Sequence, residues 1–330
     1  MSAALPAALR AGLQALAGAF PGRELAAASA RISADYRAGR STRFAGAAEA
    51  AAYATARLPA TYAAVAAALA ETAARTDFVP ASLLDLGCGP GTASWAALEV
   101  FPGLEDIRLV DSHPGMIALG QQLGAHGPPA LRAAAWRQAG IPAALADEPP
   151  ADLVIASYAL NELDPQGLTV AAPGLLARTS GLVVVVEPGT RQGFAVIDRV
   201  RSGLIAAGAR ILAPCPGEGP CPVRAPDWCH FSVRLPRLRA HRAAKGADAP
   251  FEDEPFAYVA AARPQIAGRP AAARILRPPR ITKPGTDFTL CTPAGLSVVQ
   301  VPARDRDQTR LTRRLGWGDA FRHASPPVPD

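Results

Sequence analysis

The segment Leu83-Leu84-Asp85-Leu86-Gly87-Cys88-Gly89-Pro90-Gly91-Thr92 constrains this 330-residue chain more than any other. A short apolar run ends in an acid, three glycines follow at alternate positions, and helix-forming residues come next. That order predicts a strand, a tight turn and a helix, because glycine reaches backbone angles closed to other residues and lets a ligand approach the main chain. The same rhythm recurs downstream. Apolar runs at residues 82–86, 107–111, 153–157 and 182–187 are short and continuous, as in parallel strands buried on both faces. Helices are expected to begin near Thr92, His113 and Pro165, with another over residues 194–207. The reading is α/β, a doubly wound parallel sheet over residues 78–210, with ligand held at the carboxyl ends of the strands.

The G-x-G-x-G spacing after Asp85-Leu86 resembles motif I of class I S-adenosylmethionine (SAM) methyltransferases more than the G-x-G-x-x-G of dinucleotide-binding folds. A Rossmann-like class I methyltransferase sheet is therefore expected. Asp111 follows Gly91 by 20 residues, at the end of the second strand. There a carboxylate can accept hydrogen bonds from both ribose hydroxyls, or help cap the next helix together with Ser112. Ser157-Tyr158-Ala159-Leu160-Asn161-Glu162-Leu163 emerges at the same sheet edge, where Asn161 and Glu162 either orient a methyl acceptor or cap a helix. The residues expected to meet the cofactor are Asp85, Gly87, Cys88, Gly89, Gly91, Asp111, Ser157 and Asn161. Glu187-Pro188-Gly189-Thr190 ends the last assigned strand. No side chain stands out as a catalytic base, and methyl transfer needs one only when the acceptor must lose a proton.

Residues 1–77 read as a helical N-terminal module, in which Pro59 is expected to end one helix before the next begins. Residues 1–20 lack a sustained apolar core and a cleavage site, so an ordinary helix is expected there rather than a targeting segment. No apolar run approaches the roughly 18 residues of a membrane span, and a soluble chain with no membrane contact is expected. Residues 211–330 form a loop-rich module, dense in Pro, Gly, Arg and Cys, with a β-hairpin expected from strands at 286–291 and 296–301. Residues 325–330 are expected to fray. Charge divides unevenly, with 14 Lys and Arg against 17 Asp and Glu in residues 1–200, and 20 against 11 beyond them. A basic C-terminal part suits a polyanion, RNA first. Its cations form two runs, Arg234, Arg237, Arg239, Arg242 and Lys245, then Arg304, Arg306, Arg310, Arg313 and Arg314. Asp305 and Asp307 interleave the second run and are able to pair within it.

Of five cysteines, Cys215, Cys221 and Cys229 share one loop with five and seven residues between them, and Cys291 lies beside the hairpin. Without an export signal, disulfides are not expected. Four thiolates at such wide spacing suit a 4Fe-4S cluster, with zinc as the runner-up because structural zinc prefers close pairs. Cys88, inside the glycine turn, is assigned to the cofactor side, and His230 is a spare ligand or a surface residue.

Taken together these features resemble the methyltransferase-like assembly proteins of the mitochondrial small ribosomal subunit and their bacterial relatives. The resemblance is carried by Ala52-Tyr53-Ala54-Thr55-Ala56-Arg57-Leu58-Pro59-Ala60-Thr61-Tyr62, the Asp85 to Gly91 turn, Asn161-Glu162-Leu163, Glu187-Pro188-Gly189-Thr190 and the four cysteines. It implies a role on small-subunit ribosomal RNA, as a SAM-dependent rRNA methyltransferase or as an assembly or translation factor, with a 4Fe-4S cluster on Cys215, Cys221, Cys229 and Cys291. The alternatives are a non-catalytic assembly factor and a small-molecule methyltransferase with a zinc-stabilised lid. The Ala, Arg and Pro bias points to a bacterial, cytoplasmic protein, mitochondrial if the source is eukaryotic, and a monomer is expected.

Overall fold

The computed structural model describes residues 4–37, 46–237 and 249–321. Arg239, Arg242, Lys245 and the expected frayed tail lie outside the described residues. Three helices come first, α1 (Ala7–Gly18), α2 (Gly22–Arg37) and α3 (Ala47–Ala73). An alternating region follows, comprising β1 (Ser82–Leu86), α4 (Thr92–Val100), β2 (Asp106–Asp111), α5 (Pro114–Gly124), α6 (Pro129–Arg132), β3 (Ala135–Gln138), α7 (Ile141–Asp147), β4 (Ala151–Ser157), α8 (Pro165–Ala177), β5 (Thr179–Pro188) and α9 (Arg191–Ala206). Then come β6 (Arg210–Ala213), β7 (Phe231–Pro236) and β8 (Phe251–Ala262). The chain continues through β9 (Ala273–Ile275), β10 (Arg280–Ile281), β11 (Gly285–Thr292), β12 (Gly295–Pro302), α10 (Arg306–Thr312) and β13 (Ala320–Phe321).

The large sheet has the order β3-β2-β1-β4-β5-β8-β6, with β7 also on β8. Strands β1 to β5 are parallel, and β8 runs antiparallel to β5, β6 and β7. A reversed strand between β5 and β6 is the arrangement of the class I methyltransferase fold. Successive residues in its central strands serve opposite faces. Leu83, Leu153, Ile155, Leu182 and Val184 join α1, α3 and α4 in one core, whereas Leu84, Val154, Val183 and Val185 join α7, α8 and α9 in another. This two-sided burial is why the four runs were apolar throughout rather than alternating.

The sheet does not close at residue 210. Its β8 comes from beyond the cysteine loop and pairs with β5 from Leu182↔Ala262 to Pro188↔Phe256. The expected hairpin forms, with Thr286 opposite Val301 and Cys291 opposite Leu296. It belongs to a second sheet, order β10-β11-β9-β13 with β12 on β11. Phe288, Phe321, Ile275, Leu290 and Val301 fill its core. Arg274 of β9 ties the two sheets together. It is fully buried, donating to the Pro214 and Gly318 carbonyls at 2.9 and 2.8 Å and pairing with Glu71 of α3 at 2.6 Å.

Pro59 does not divide two helices. The helix α3 runs through it, with Leu58, Pro59, Ala60 and Tyr62 all buried. Proline costs a helix one hydrogen bond, but here burial against β-strands and α4 outweighs local propensity. Among the described residues, no helix is long and apolar enough to cross a membrane.

Candidate functional site

A cavity of about 920 Å³ opens at the carboxyl ends of β1, β2 and β4. Its floor is the glycine turn. Gly87, Gly89 and Gly91 take φ of 63, 53 and 77°, in the left-handed region. At Gly87 a Cβ would stand 2.4 Å from the Cβ of Ala159, so the turn presses against the loop after β4. At Gly89 a Cβ would meet nothing within 4 Å and would occupy the space a ligand needs.

Asp111, at the tip of β2, holds this turn open. One carboxylate oxygen accepts from the Gly89 amide at 2.8 Å and the other from the His113 amide at 2.8 Å. The cap of α5 is His113 itself, whose Nδ1 accepts from the Gly115 amide at 3.1 Å, so Asp111 does not cap that helix. Each carboxylate oxygen keeps a second lone pair beyond these bonds.

Of the expected cofactor residues, Gly87, Cys88, Gly89, Asp111 and Ser157 line the cavity, while Asp85, Gly91 and Asn161 do not. Asp85 is fully buried behind the turn, where its Oδ2 accepts from the amide and hydroxyl of Ser94 at 3.1 and 2.8 Å. It anchors the start of α4 to β1. Gly91 caps α4 and faces Leu109 and Trp136. Asn161 is held by its backbone, its amide donating to Glu187 at 3.3 Å.

Residues beyond that expectation complete the cavity. Tyr53, Arg57 and Thr61, one turn apart on α3, reach it from the helical module, and His113 and Glu162 border it. The spacing of four along α3 was visible in the sequence, but its proximity to the glycine turn was not. Glu162 is pushed above the ordinary carboxyl range by burial and by Asp111.

The loop after β4 hangs on a buried acid. Glu187 at the end of β5 accepts from the Leu160 amide at 2.9 Å, and its other oxygen has no hydrogen-bond partner among the described residues. Tyr158, with φ of 56°, is a left-handed non-glycine residue, and its hydroxyl donates to Glu254 of β8 at 3.0 Å. Such strain persists only where surroundings fix it. Burial raises Asp85 to about 7 and Glu187 to about 8, in both cases against the hydrogen bonds they accept. Both acids stay protonated in the fold at pH values where an unfolded carboxyl, near 3.8 or 4.5, has ionised. Their contribution to stability is complete at low pH and is lost as pH rises through about 7 and 8. The melting temperature of Glu187→Gln minus that of the wild type should therefore increase across this window in thermal scans, and a constant difference contradicts the assignment.

A second cavity, about 370 Å³, lies between the cysteine loop and β11. Cys215, Cys221, Cys229 and Cys291 all line it, and none forms a disulfide. Burial pushes all four thiols up, Cys291 to about 11, and Cys229 is raised further by the other three. Cys88 lines the other cavity. Among the described residues, no three His, Cys, Asp or Glu side chains are drawn together as around a single metal ion. His230 does not line the thiol cavity. Its ring stacks on Trp228 with centroids 5.1 Å apart and meets Trp317 edge-on at 4.8 Å. The Trp228 indole donates to the Gly189 carbonyl at 2.8 Å, which fastens the cysteine loop to the end of β5.

The two basic runs differ in their partners. Arg234 pairs with Asp253 and Arg237 with Glu252 across the β7–β8 ladder, so the described part of the first run is neutralised. In the second run Asp305 caps α10 by accepting from the Gln308 amide at 3.0 Å, not by pairing with an arginine. Arg304, Arg306, Arg310, Arg313 and Arg314 are exposed.

The family model described as mitochondrial small ribosomal subunit Rsm22 matches residues 47–322. A human relative, "Ribosome assembly protein METTL17, mitochondrial", is 29% identical over 299 residues, covering 83% of this chain and 62% of its own length. The Schizosaccharomyces pombe "Rsm22-cox11 tandem protein 2, mitochondrial" is 26% identical over 290 residues, covering 72% of this chain and 38% of its own. The chain thus spans less than two thirds of these relatives. Solved structures with a similar fold include magnesium protoporphyrin IX methyltransferase of Synechocystis PCC 6803 with bound SAM, 11% identical, TM-score 0.40, covering 70% of this chain and 90% of that one. Precorrin-6y C5,15-methyltransferase of Geobacter metallireducens GS-15 is 18% identical with TM-score 0.39, covering 60% and 85%.

Proposed function

The chain belongs to the family of the mitochondrial small ribosomal subunit protein Rsm22, and from that premise we propose that it is a SAM-binding factor that acts on the RNA of the small ribosomal subunit during assembly. The observation that carries the SAM reading is the glycine-floored cavity braced by Asp111. Its carboxylate suits the ribose diol, and the open space over Gly89 suits the body of the cofactor. When bound, SAM supplies an electrophilic methyl group. Ser157 and Glu162 stand at the edge where an acceptor would approach. The exposed arginines around α10 suit phosphates, which guanidinium groups engage in pairs.

The four thiols are assigned a 4Fe-4S cluster. They share one cavity, and their wide spacing in the sequence favours the cluster over zinc, which prefers close pairs. Such a group would tie the cysteine loop to β11 and supply a redox centre. On this reading the protein works in the cytoplasm of a bacterial cell, or in the mitochondrion of a eukaryotic one, with small-subunit ribosomal RNA as its partner.

Titration calorimetry with SAM and S-adenosylhomocysteine tests the cofactor assignment. Asp111→Ala removes two charge-assisted acceptors and should weaken binding by about 2–3 kcal/mol, or roughly 30- to 150-fold. An unchanged affinity contradicts the site. The same variant separates catalysis from assembly: if it loses methyl incorporation yet still associates with small subunits, the fold serves turnover, and if both fall together, cofactor occupancy is part of docking.

A further inference from the structure

Arg201, on α9, is a buried cation with no ion-pair partner among the described residues. Its side chain is 4% exposed and lines the thiol cavity. One terminal nitrogen donates to the Gly217 and Gly219 carbonyls, both at 2.8 Å, inside the loop that joins Cys215 to Cys221. Its Nε is buried with no hydrogen-bond partner among the described residues, and its guanidinium bears on the Cys215 thiol. Two other guanidinium groups line this cavity: Arg274 is neutralised by Glu71 at 2.6 Å, and Arg224 is exposed to solvent and donates to the Cys221 carbonyl. Among the described residues, no carboxylate pairs with Arg201. Asp198, three residues earlier on α9, bears on Cys221 but forms no ion pair with Arg201.

An isolated buried cation is costly, so a guanidinium survives in such a place when an anion faces it. The groups facing Arg201 are thiols, and Cys215, Cys221 and Cys291 each feel its charge. Neutral thiols offer no compensation. Four thiolates around a core of charge +2 carry a net charge of −2, whether that core is a zinc ion or an oxidised 4Fe-4S cluster.

We infer that Arg201 is the counter-cation of an anionic four-thiolate site, lowering the cost of holding the thiolates and favouring the more reduced state of a bound cluster. The inference rests on the four-thiol reading above and adds to it a residue outside the cysteine set. Arg201 acts through the thiolates and is a positioning and charge-setting residue, not a ligand.

The test compares the wild type with Arg201→Met and Arg201→Lys, each purified anaerobically as the full chain. Iron, sulfide and zinc are measured, and the cluster is titrated with dithionite while its visible and spin-resonance signals are followed. Lysine keeps the charge but not the paired donation to Gly217 and Gly219, whereas methionine loses both. The expected result is a more negative midpoint in the methionine variant, by at least tenfold in the one-electron equilibrium, which is about 59 mV, with lysine near the wild type. Loss of iron in the methionine variant alone supports the inference equally. Equal shifts or equal iron loss in both variants would mean that Arg201 only braces the loop, and no shift in either would mean that its charge is idle; each overturns the inference. If the wild type holds zinc, the same comparison is read as zinc affinity by chelator competition. A wild type with neither metal overturns the four-thiol reading itself, before the variants are compared.

Discussion

Cys229→Ser is expected to lower bound iron and sulfide from about four of each per chain to nearly none, and to lower the melting temperature with them. Cys229 is the thiol most affected by the other three, and it sits beside Trp228, whose indole fastens the loop to Gly189. Removing it takes away one of the four proposed ligands, next to the point where the loop is fastened. Metal binding to structural thiol sites contributes on the order of 10 kcal/mol to folded small domains, and part of that should appear here as lost stability of the cysteine loop and second sheet. The control is Cys88→Ser. Cys88 lines the other cavity, so this variant should keep its metal. Metal analysis with thermal melts decides the matter, and equal metal content in Cys229→Ser and wild type contradicts the assignment.

Gly87→Ala should be the most damaging single methyl in the cofactor cavity. Its φ of 63° is left-handed, which costs a residue with a Cβ about 1–2 kcal/mol. The new methyl would also stand 2.4 Å from Ala159, in a loop fixed by Glu187 and Tyr158. Overpacking of that kind costs about 1–3 kcal/mol. A combined loss of about 2–5 kcal/mol should appear in urea unfolding, together with loss of measurable SAM binding. Gly89→Ala makes the comparison informative. The backbone angle is similar but the space is open, so stability should fall by only about 1–2 kcal/mol while SAM affinity still collapses. Equal stability losses at the two positions would contradict the packing account.

How much was legible in the sequence follows from burial. Strands β1, β2, β4 and β5 were readable because both faces are covered, leaving uninterrupted Leu, Val and Ile. Strand β8 was not. Its first half carries Glu252, Asp253, Glu254 and Pro255, and its second half is Ala257-Tyr258-Val259-Ala260-Ala261-Ala262, a helix-like composition placed in the sheet by pairing with β5. The same alanine bias hid the reach of α3 through Pro59. At the site, Gly87, Gly89 and Asp111 were readable because few residue types tolerate those positions. Asp85 lies within β1, and its position near the end of that strand does not reveal its direction, which is toward Ser94 and away from the cavity. Tyr53, Arg57 and Thr61 meet the glycine turn only through the tertiary fold. The four cysteines were read as a group, and the cavity they share brings Cys291 to the loop across more than sixty residues of sequence.

The most direct test of the account is binding to purified small and large ribosomal subunits, by sedimentation across a salt series, for the wild type and a variant with Arg304, Arg306, Arg310, Arg313 and Arg314 changed to glutamine. The account predicts binding to the small subunit that weakens by roughly a few hundred-fold between about 50 and 200 mM salt if some five phosphates are engaged. In the variant, affinity should fall and the salt dependence flatten. Equal binding to both subunits, or small-subunit binding indifferent to salt and to the five arginines, would contradict it.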